Sequence, residues 1–475
     1  MSSVEKWDMF ELDLKGPSDG NPFLDVEIGA TFALGDRRTE VTGFYDGKGM
    51  YRVRFMPDTV GTWTYKTLSN QNVLSGLEGK FECTEAAGDN HGPVRVFDAI
   101  HFAYEDGRPY RPVGTTCYVW NHQGDALEGE TLKTLKAAPF NKIRMCVFPK
   151  HYDFNKNEPQ YYPFAGAALT DWDYARFNPE FFAHLESRIR GLMNLGIEAD
   201  LILFHPYDRW GYSTMSQETD DLYLHYIVAR LAAFRNVWWS FANEYDLMKE
   251  KTSLDWDRFF KIVWRNDHVQ HLRSIHNCRG FYDHGKPWVT HCSVQHHNLD
   301  LVGTWINQYA KPVVVDECGY EGNIRHNWGN LTPQEMSNRF WLGFAQGGYV
   351  GHGETYLHPE DELWWSKGGK LYGQSPQRIA FLRSVIEDAP ATGLRPAGLG
   401  NVTVCCSKTG EYYLYYFAER QPAEKSFTLP EERKFRAEII DTWDMTITPV
   451  PGHFSGTFRL ELPGKPYVAV RFIEN

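Results

Sequence analysis

Two stretches of the sequence run an apolar segment directly onto an acid. One reads Val237-Trp238-Trp239-Ser240-Phe241-Ala242-Asn243-Glu244-Tyr245-Asp246 and the other Pro312-Val313-Val314-Val315-Asp316-Glu317-Cys318-Gly319. In each, a segment apolar enough to be a buried strand ends on a glutamate where a loop must begin. Two carboxyl groups facing one another across a cleft can cleave a glycosidic bond. One protonates the leaving oxygen, and the other attacks the anomeric carbon or activates water; an anion there stabilises an oxocarbenium-like transition state. Neither glutamate is diagnostic alone, since a carboxylate near a helix N-terminus is favourable without any chemistry.

The elements that must position this pair can be read outward from it. From about residue 95 to 388 short apolar runs alternate with helix-length amphipathic stretches, the texture of βα units. Candidate strands are Arg111–Cys117, Asn141–Val147, Ile197–Phe204, Asn236–Phe241, His271–His276, Trp288–Ser293, Pro312–Glu317 and Tyr349–Glu354. Helices are predicted at Asn178–Leu195, Glu218–Ala233, Ser253–Val269, Thr332–Ala345 and Pro376–Ile386. Eight such strands make a (β/α)8 TIM barrel, whose chemistry sits at the C-terminal strand ends. Strands four and seven lie on opposite sides of the mouth, which sets Glu244 facing Glu317. Residues 1–93 instead alternate with period two between Gly, Pro and Asp turns, as in Phe23–Ile28, Met50–Phe55 and Gly61–Lys66. Residues 389–475 return to that pattern at Asn401–Val404, Tyr412–Tyr416, Arg436–Ile440 and Tyr467–Phe472. The expected domains are therefore an N-terminal β-sandwich (1–93), a catalytic barrel (94–388) and a C-terminal β-sandwich (389–475).

Asn243-Glu244 ending strand four and Glu317 ending strand seven resemble the signature of the clan A retaining glycoside hydrolases. The resemblance implies that Glu244 is the acid/base, Glu317 the nucleophile, and Asn243 a contact to the sugar 2-hydroxyl. The runs Tyr226–Arg230 and Asn236–Glu244 resemble the apiosidase-like family of glycoside hydrolases. So do Lys311-Pro312-Val313 with Tyr320-Glu321-Gly322, Gly351-His352-Gly353-Glu354-Thr355-Tyr356, and the order β domain, barrel, β domain. One motif departs: where that family often has Gly-Asp-Thr-Ala-Trp, this chain has Gly114-Thr115-Thr116-Cys117-Tyr118, without the acid. Arg144 resembles the clan's strand-two arginine that hydrogen-bonds the nucleophile, and a guanidinium there is expected to lower the pKa of Glu317. His205 (end of strand three), His276 (strand five), and His291 and Gln295 (strand six) are expected to bind hydroxyls. Glu354, ending strand eight, is expected to grip two sugar hydroxyls, and Trp364, with Trp365 beside it, to floor the sugar.

Composition agrees and excludes other classes. With 42% apolar residues the 475-residue chain can bury a sizeable core. Its 16 Trp, 26 Tyr and 30 Phe suit a protein that stacks on sugars, or simply a large core. A net charge of −12 argues against nucleic acid and anionic membranes as partners. There is no P-loop and no HExxH, and Gly16-Pro17-Ser18-Asp19-Gly20, a formal GxSxG, falls in a β region where no nucleophile elbow can form. His291, His296 and His297 lack the carboxylate spacing of a metal cluster. Eight cysteines without a CxxC pair, and an N-terminus without an apolar h-region, lead to an expected cytoplasmic location. The reading is a retaining glycoside hydrolase acting by double displacement, exo-acting on short oligosaccharides or small glycosides. It needs no cofactor and no metal, and its partner is carbohydrate, with homo-oligomers left open. The alternatives are a non-catalytic carbohydrate-binding protein on the same scaffold and a metal-dependent barrel hydrolase.

Overall fold

A computed structural model describes residues 2–166, 171–397, 403–406 and 410–475. Eight parallel strands form one sheet: Val113–Thr116, Lys142–Cys146, Glu198–Phe204, Val237–Ala242, Arg273–Ser274, Cys292–Gln295, Val313–Glu317 and Tyr349–His352. Counted one to eight along the chain, they lie side by side in the order five, four, three, two, one, eight, seven, six. The sheet curls until strands five and six meet, and there side chains supplement the backbone bond from Thr290 N–H to the Arg273 carbonyl. Thr290 bonds both ways with the Arg273 backbone, and the Asn277 amide takes the N–H of Gln295 at 3.2 Å and donates to its carbonyl at 3.3 Å. Strand five has two residues and no helix follows it before strand six. The connecting segment Asn277–Trp288 is rich in Gly, Asp and Pro, which oppose a helix.

The other strands are each followed by a helix. The five predicted helices are present, at Pro179–Met193, Gln217–Leu231, Ser253–Asn266, Pro333–Phe344 and Ser375–Glu387, and Asp125–Ala137 and Val302–Tyr309 add two that periodicity did not single out. Strand six begins at Cys292, four residues later than the predicted start at Trp288.

The flanking domains are rich in strands. In the N-terminal one, a five-stranded sheet packs on a three-stranded sheet through Phe10 on Phe81 and Phe32 on Phe55, with ring centroids 3.8 and 4.2 Å apart. The strand expected at Phe23–Ile28 is instead a helical turn, Pro22–Asp25, and the strand starts at Ile28. Proline at the first helical position is pre-set for that turn. The turn frees Phe23 to pack on Phe177 and Tyr226 of the barrel. The C-terminal domain carries a six-stranded and a two-stranded sheet. Of the strand expected at Asn401–Val404, Asn401 and Val402 lie outside the described residues. No helix among the described residues is long and apolar enough to cross a membrane.

The N-terminal domain is locked to the barrel by buried charge. Arg230, on the helix after strand three, donates to Glu186 and to Asp46 at 2.6 Å each, and Arg54 reaches Glu186 at 3.0 Å. Burial raises the Glu186 carboxyl, but Arg230 and Arg54 outweigh it and hold the group below its usual range. Glu186 therefore contributes stability above the unfolded carboxylate pKa and loses it as pH falls. Replacing Arg230 with Met leaves Glu186 and Asp46 without it, and is expected to cost about 3–5 kcal/mol in urea unfolding at pH 7, with a smaller loss at acidic pH.

Candidate active site

Strand two carries Lys142 and Arg144 two residues apart, so both point into the barrel. Lys142 Nζ donates to Asp200 of strand three at 2.6 Å and to Asp316 of strand seven at 2.8 Å. One layer nearer the mouth, Arg144 Nη1 donates to Glu317 Oε1 at 3.1 Å and Nη2 to Asn243 Oδ1 at 3.4 Å. Asp316 and Glu317 are consecutive, yet both reach the interior. The register supplies the reason: Val294 pairs with Val315, but Gln295 pairs with Glu317. One extra residue on strand seven makes a bulge, which re-aims a side chain.

Across the mouth, Glu244 leaves strand four in the left-handed region at φ 53°. A non-glycine residue held there costs about 1–3 kcal/mol, and such strain clusters at functional sites. The Tyr207 hydroxyl donates to Glu244 Oε2, and Asn243 Nδ2 reaches the same oxygen at 3.3 Å. The Gln295 amide nitrogen, in the orientation that satisfies both its atoms, donates to Glu244 Oε1 at 3.3 Å. Tyr118 Oη donates to Asn243 Oδ1 at 2.9 Å. A continuous polar bridge thus runs Glu317–Arg144–Asn243–Glu244. The two acids are 8% and 7% exposed.

Burial pushes the Glu317 carboxyl up to about 8, opposed by the Tyr320 hydroxyl, which faces it outside strict hydrogen-bond geometry. The lowering expected from Arg144 is not what the structure shows. That guanidinium also sits in the field of Asp200, where it opposes the rise that burial causes, and of Asp316, which it helps to lower, and desolvation decides the balance at Glu317. His276 Nε2 lies 3.8 Å from Glu317 Oε1. Burial, with Arg144 adding to it, drives His276 well below its ordinary pKa, so it backs the carboxyl as a neutral ring.

Of the expected site residues, the structure brings together Glu244, Glu317, Asn243, Arg144, Gln295 and His276. Four others go elsewhere. His205 Nε2 donates to the Phe148 carbonyl, 3.2 Å away, inside the wall. His291 precedes strand six rather than ending it, so it packs at the opposite end of the barrel against Phe102 and Trp238. Glu354 lies beyond the end of strand eight at His352. Its oxygens accept the backbone N–H groups of Tyr372 at 2.5 Å and Gly373 at 2.9 Å, while Glu321 takes those of Gln374 and Ser375 at 2.8 and 3.0 Å. The two carboxyls thereby hold the start of the last barrel helix, and Glu354, 1% exposed, has both oxygens engaged there. Trp364, 1% exposed, turns inward and donates to Thr115 Oγ1 at 2.8 Å. Trp365 faces the mouth in its place, packed against Tyr118, Tyr152, Tyr320 and Trp328.

Sequence reasoning missed Tyr118, Tyr207, Tyr320 and Lys150. All lie one to four residues past a strand end, so the strand-end rule applied to loops rather than to the last strand residue would have found them. Metal-type donors gather among the described residues at Asp125/Glu128/His184 and Glu321/His352/Glu354. Glu128 is already paired with His184 and Arg188, and Glu321 and Glu354 with backbone amides. Neither group includes Glu244 or Glu317. His291 is not brought near His296 and His297, which stack on one another.

Two carboxyls, Glu244 and Glu317, thus share the mouth of a parallel barrel at the ends of strands four and seven, joined through Arg144 and Asn243. A family model for the apiosidase-like catalytic domain matches residues 98–368, and models for two domains of unknown function, DUF5060 and DUF5605, match residues 3–70 and 402–473. The chain belongs to the apiosidase-like family of glycoside hydrolases. A solved structure from Bacteroides vulgatus ATCC 8482, assigned as a glycoside hydrolase, is 41% identical over 100% of both chains, with a TM-score of 0.95. A glycoside hydrolase family 5 structure from the same organism shares the fold at 14% identity, covering 81% of this chain and 94% of its own, with a TM-score of 0.62. No curated protein matches the sequence.

Both neighbouring tryptophans are buried, Trp364 at 1% and Trp365 at 6% exposed. Trp365→Ala should weaken sugar binding by calorimetry and also lower the unfolding free energy, since the ring packs on Tyr118, Tyr152, Tyr320 and Trp328. Trp364→Ala should cost about 3–5 kcal/mol of stability, as large-to-small core changes do.

Proposed function

We propose that this glycoside hydrolase retains anomeric configuration by double displacement and acts from the end of short oligosaccharides or on small glycosides. Glu317 attacks the anomeric carbon as the glycosidic C–O bond breaks and Glu244 protonates the departing oxygen. Glu244 then takes a proton from water, which attacks the anomeric carbon and releases Glu317. The observation that carries this reading is the bridge from Glu317 through Arg144 and Asn243 to Glu244. It holds one carboxyl as a firmly seated nucleophile, while the other, on a strained turn, faces the leaving-group side. The near-enclosure of both acids, with the aromatic wall around Trp365, supports exo action, because a polymer threading the site needs an open groove.

Proton NMR of the first-formed sugar tests the stereochemistry: retention is expected, and inversion overturns the reading. Glu244→Gln should slow hydrolysis about 10²–10⁴-fold, the usual worth of a general acid, and least for glycosides with an acidic leaving group. Glu317→Gln should abolish turnover.

The raised Glu317 pKa makes two further predictions. The nucleophile must be ionised, so kcat/KM should climb with pH along a limb near 8. A buried carboxyl whose pKa is raised on folding costs stability once the unfolded group ionises. The penalty grows from pH 4.5, the ordinary value, to about 8. Glu317→Gln should therefore raise the Tm at pH 8 but not at pH 4, as measured by calorimetry.

A further inference from the structure

Lys150, four residues past the end of strand two, enters the mouth beside Glu244. The residue is 2% exposed. Nζ lies 3.5 Å from the ring centre of Tyr118, 4.2 Å from Tyr207, 4.6 Å from Tyr152 and 5.9 Å from Trp365. Two of these rings belong to the catalytic constellation, since Tyr118 donates to Asn243 and Tyr207 to Glu244. Ring faces attract a cation but accept no strong hydrogen bond.

The other buried lysines set the standard. Lys142 has Asp200 and Asp316, Lys251 has Asp220, and Lys367 has Asp361. Among the described residues Lys150 alone of the buried lysines makes no salt bridge, and no hydrogen-bond acceptor takes its Nζ. Glu244 acts on it through space, but the contacts of that carboxyl go to Tyr207, Asn243 and Gln295. Desolvation brings Lys150 down to about 8, which still leaves it mainly an ammonium at neutral pH. A buried ammonium without an anion is costly. A sugar hydroxyl would use its donors yet leave the charge uncompensated. An uncompensated cation also works against a neighbouring carboxyl that must carry a proton, and an anion brought by the substrate cancels that effect.

We propose that Lys150 is a specificity-determining residue that receives an anionic substituent of the sugar, a carboxylate or a sulfate ester, in the subsite beside Glu244. The inference rests on the glycosidase reading for the identity of the cleft, but its test does not depend on turnover. Full-length protein is titrated by calorimetry with glucuronate, galacturonate, glucose 6-sulfate and galactose 6-sulfate, and with neutral glucose and galactose. At least one acidic sugar should bind about tenfold to a hundredfold more tightly than its neutral parent, the worth of a charge-assisted hydrogen bond. Whether the uronates or the sulfates bind decides between the two anions. Lys150→Met should erase the preference, and Lys150→Arg, which keeps the charge and guards against a folding defect, should retain part of it. Equal binding of neutral and acidic sugars, no binding of any acidic sugar, or a preference unchanged in Lys150→Met overturns the proposal. A parent that hydrolyses neutral aryl glycosides with no gain for the uronide keeps the glycosidase and discards the Lys150 assignment. Acid-selective binding through Lys150 with no hydrolysis of any glycoside does the reverse.

Discussion

The barrel is organised around a column of buried charge. Lys142 sits between Asp200 and Asp316, and directly above it Arg144 joins Glu317 to Asn243. In a low-dielectric interior each of these groups tolerates burial only while its partners remain in place. The constraint ties strands two, three, four and seven to one another at the level of the mouth. It makes the guanidinium of Arg144 a rigid fixture, not a mobile surface arm. It also explains why two consecutive acids must both face inward, and hence why strand seven carries its bulge. The raised carboxyl of Glu317 is a consequence of that packing, seated on a charged layer and largely shielded from water.

A second layer of order comes from aromatic side chains. Tyr118, Tyr152, Tyr207 and Trp365 line one side of the cleft, and the tyrosine hydroxyls reach Asn243, Ser366 and Glu244. They fix the acid on its strained turn and box in Lys150. Glycine makes the wall possible at Gly353, where a Cβ would fall 2.3 Å from the Tyr320 ring. The glycines of the Gly351-His352-Gly353-Glu354 stretch are thus explained by close approach, and its glutamate by the helix start that it and Glu321 hold.

Much of this was legible in the sequence. Asn243, Glu244 and Glu317 follow long apolar runs, and Arg144 lies within another, so a strand-order argument places all four at one mouth. Gln295 is also where the end of strand six puts it. The failures have a common cause. The sequence pattern places His291 at the wrong end of strand six because Trp288 and Val289 extend the apolar run ahead of the strand. Glu354 reads as a strand end in the sequence although the chain has already left the barrel at His352. Trp364 and Trp365 are identical in type and adjacent, so nothing local tells which ring faces the cleft. The helical turn at Pro22–Asp25 was hidden by an alternating pattern that its proline overrides.

The sequence by itself determined the class of fold, the two glutamates and the arginine and asparagine that serve them, because these depend on residue type and on periodicities carried by the backbone. Only the tertiary structure decided which neighbouring side chain faces the cleft, how burial outweighs Arg144 at Glu317, and that Lys150 stands among rings without a counterion. Those outcomes depend on strand register, on where each chain segment leaves the barrel, and on how much water the assembled walls exclude, and all three are sums over residues far apart in the chain.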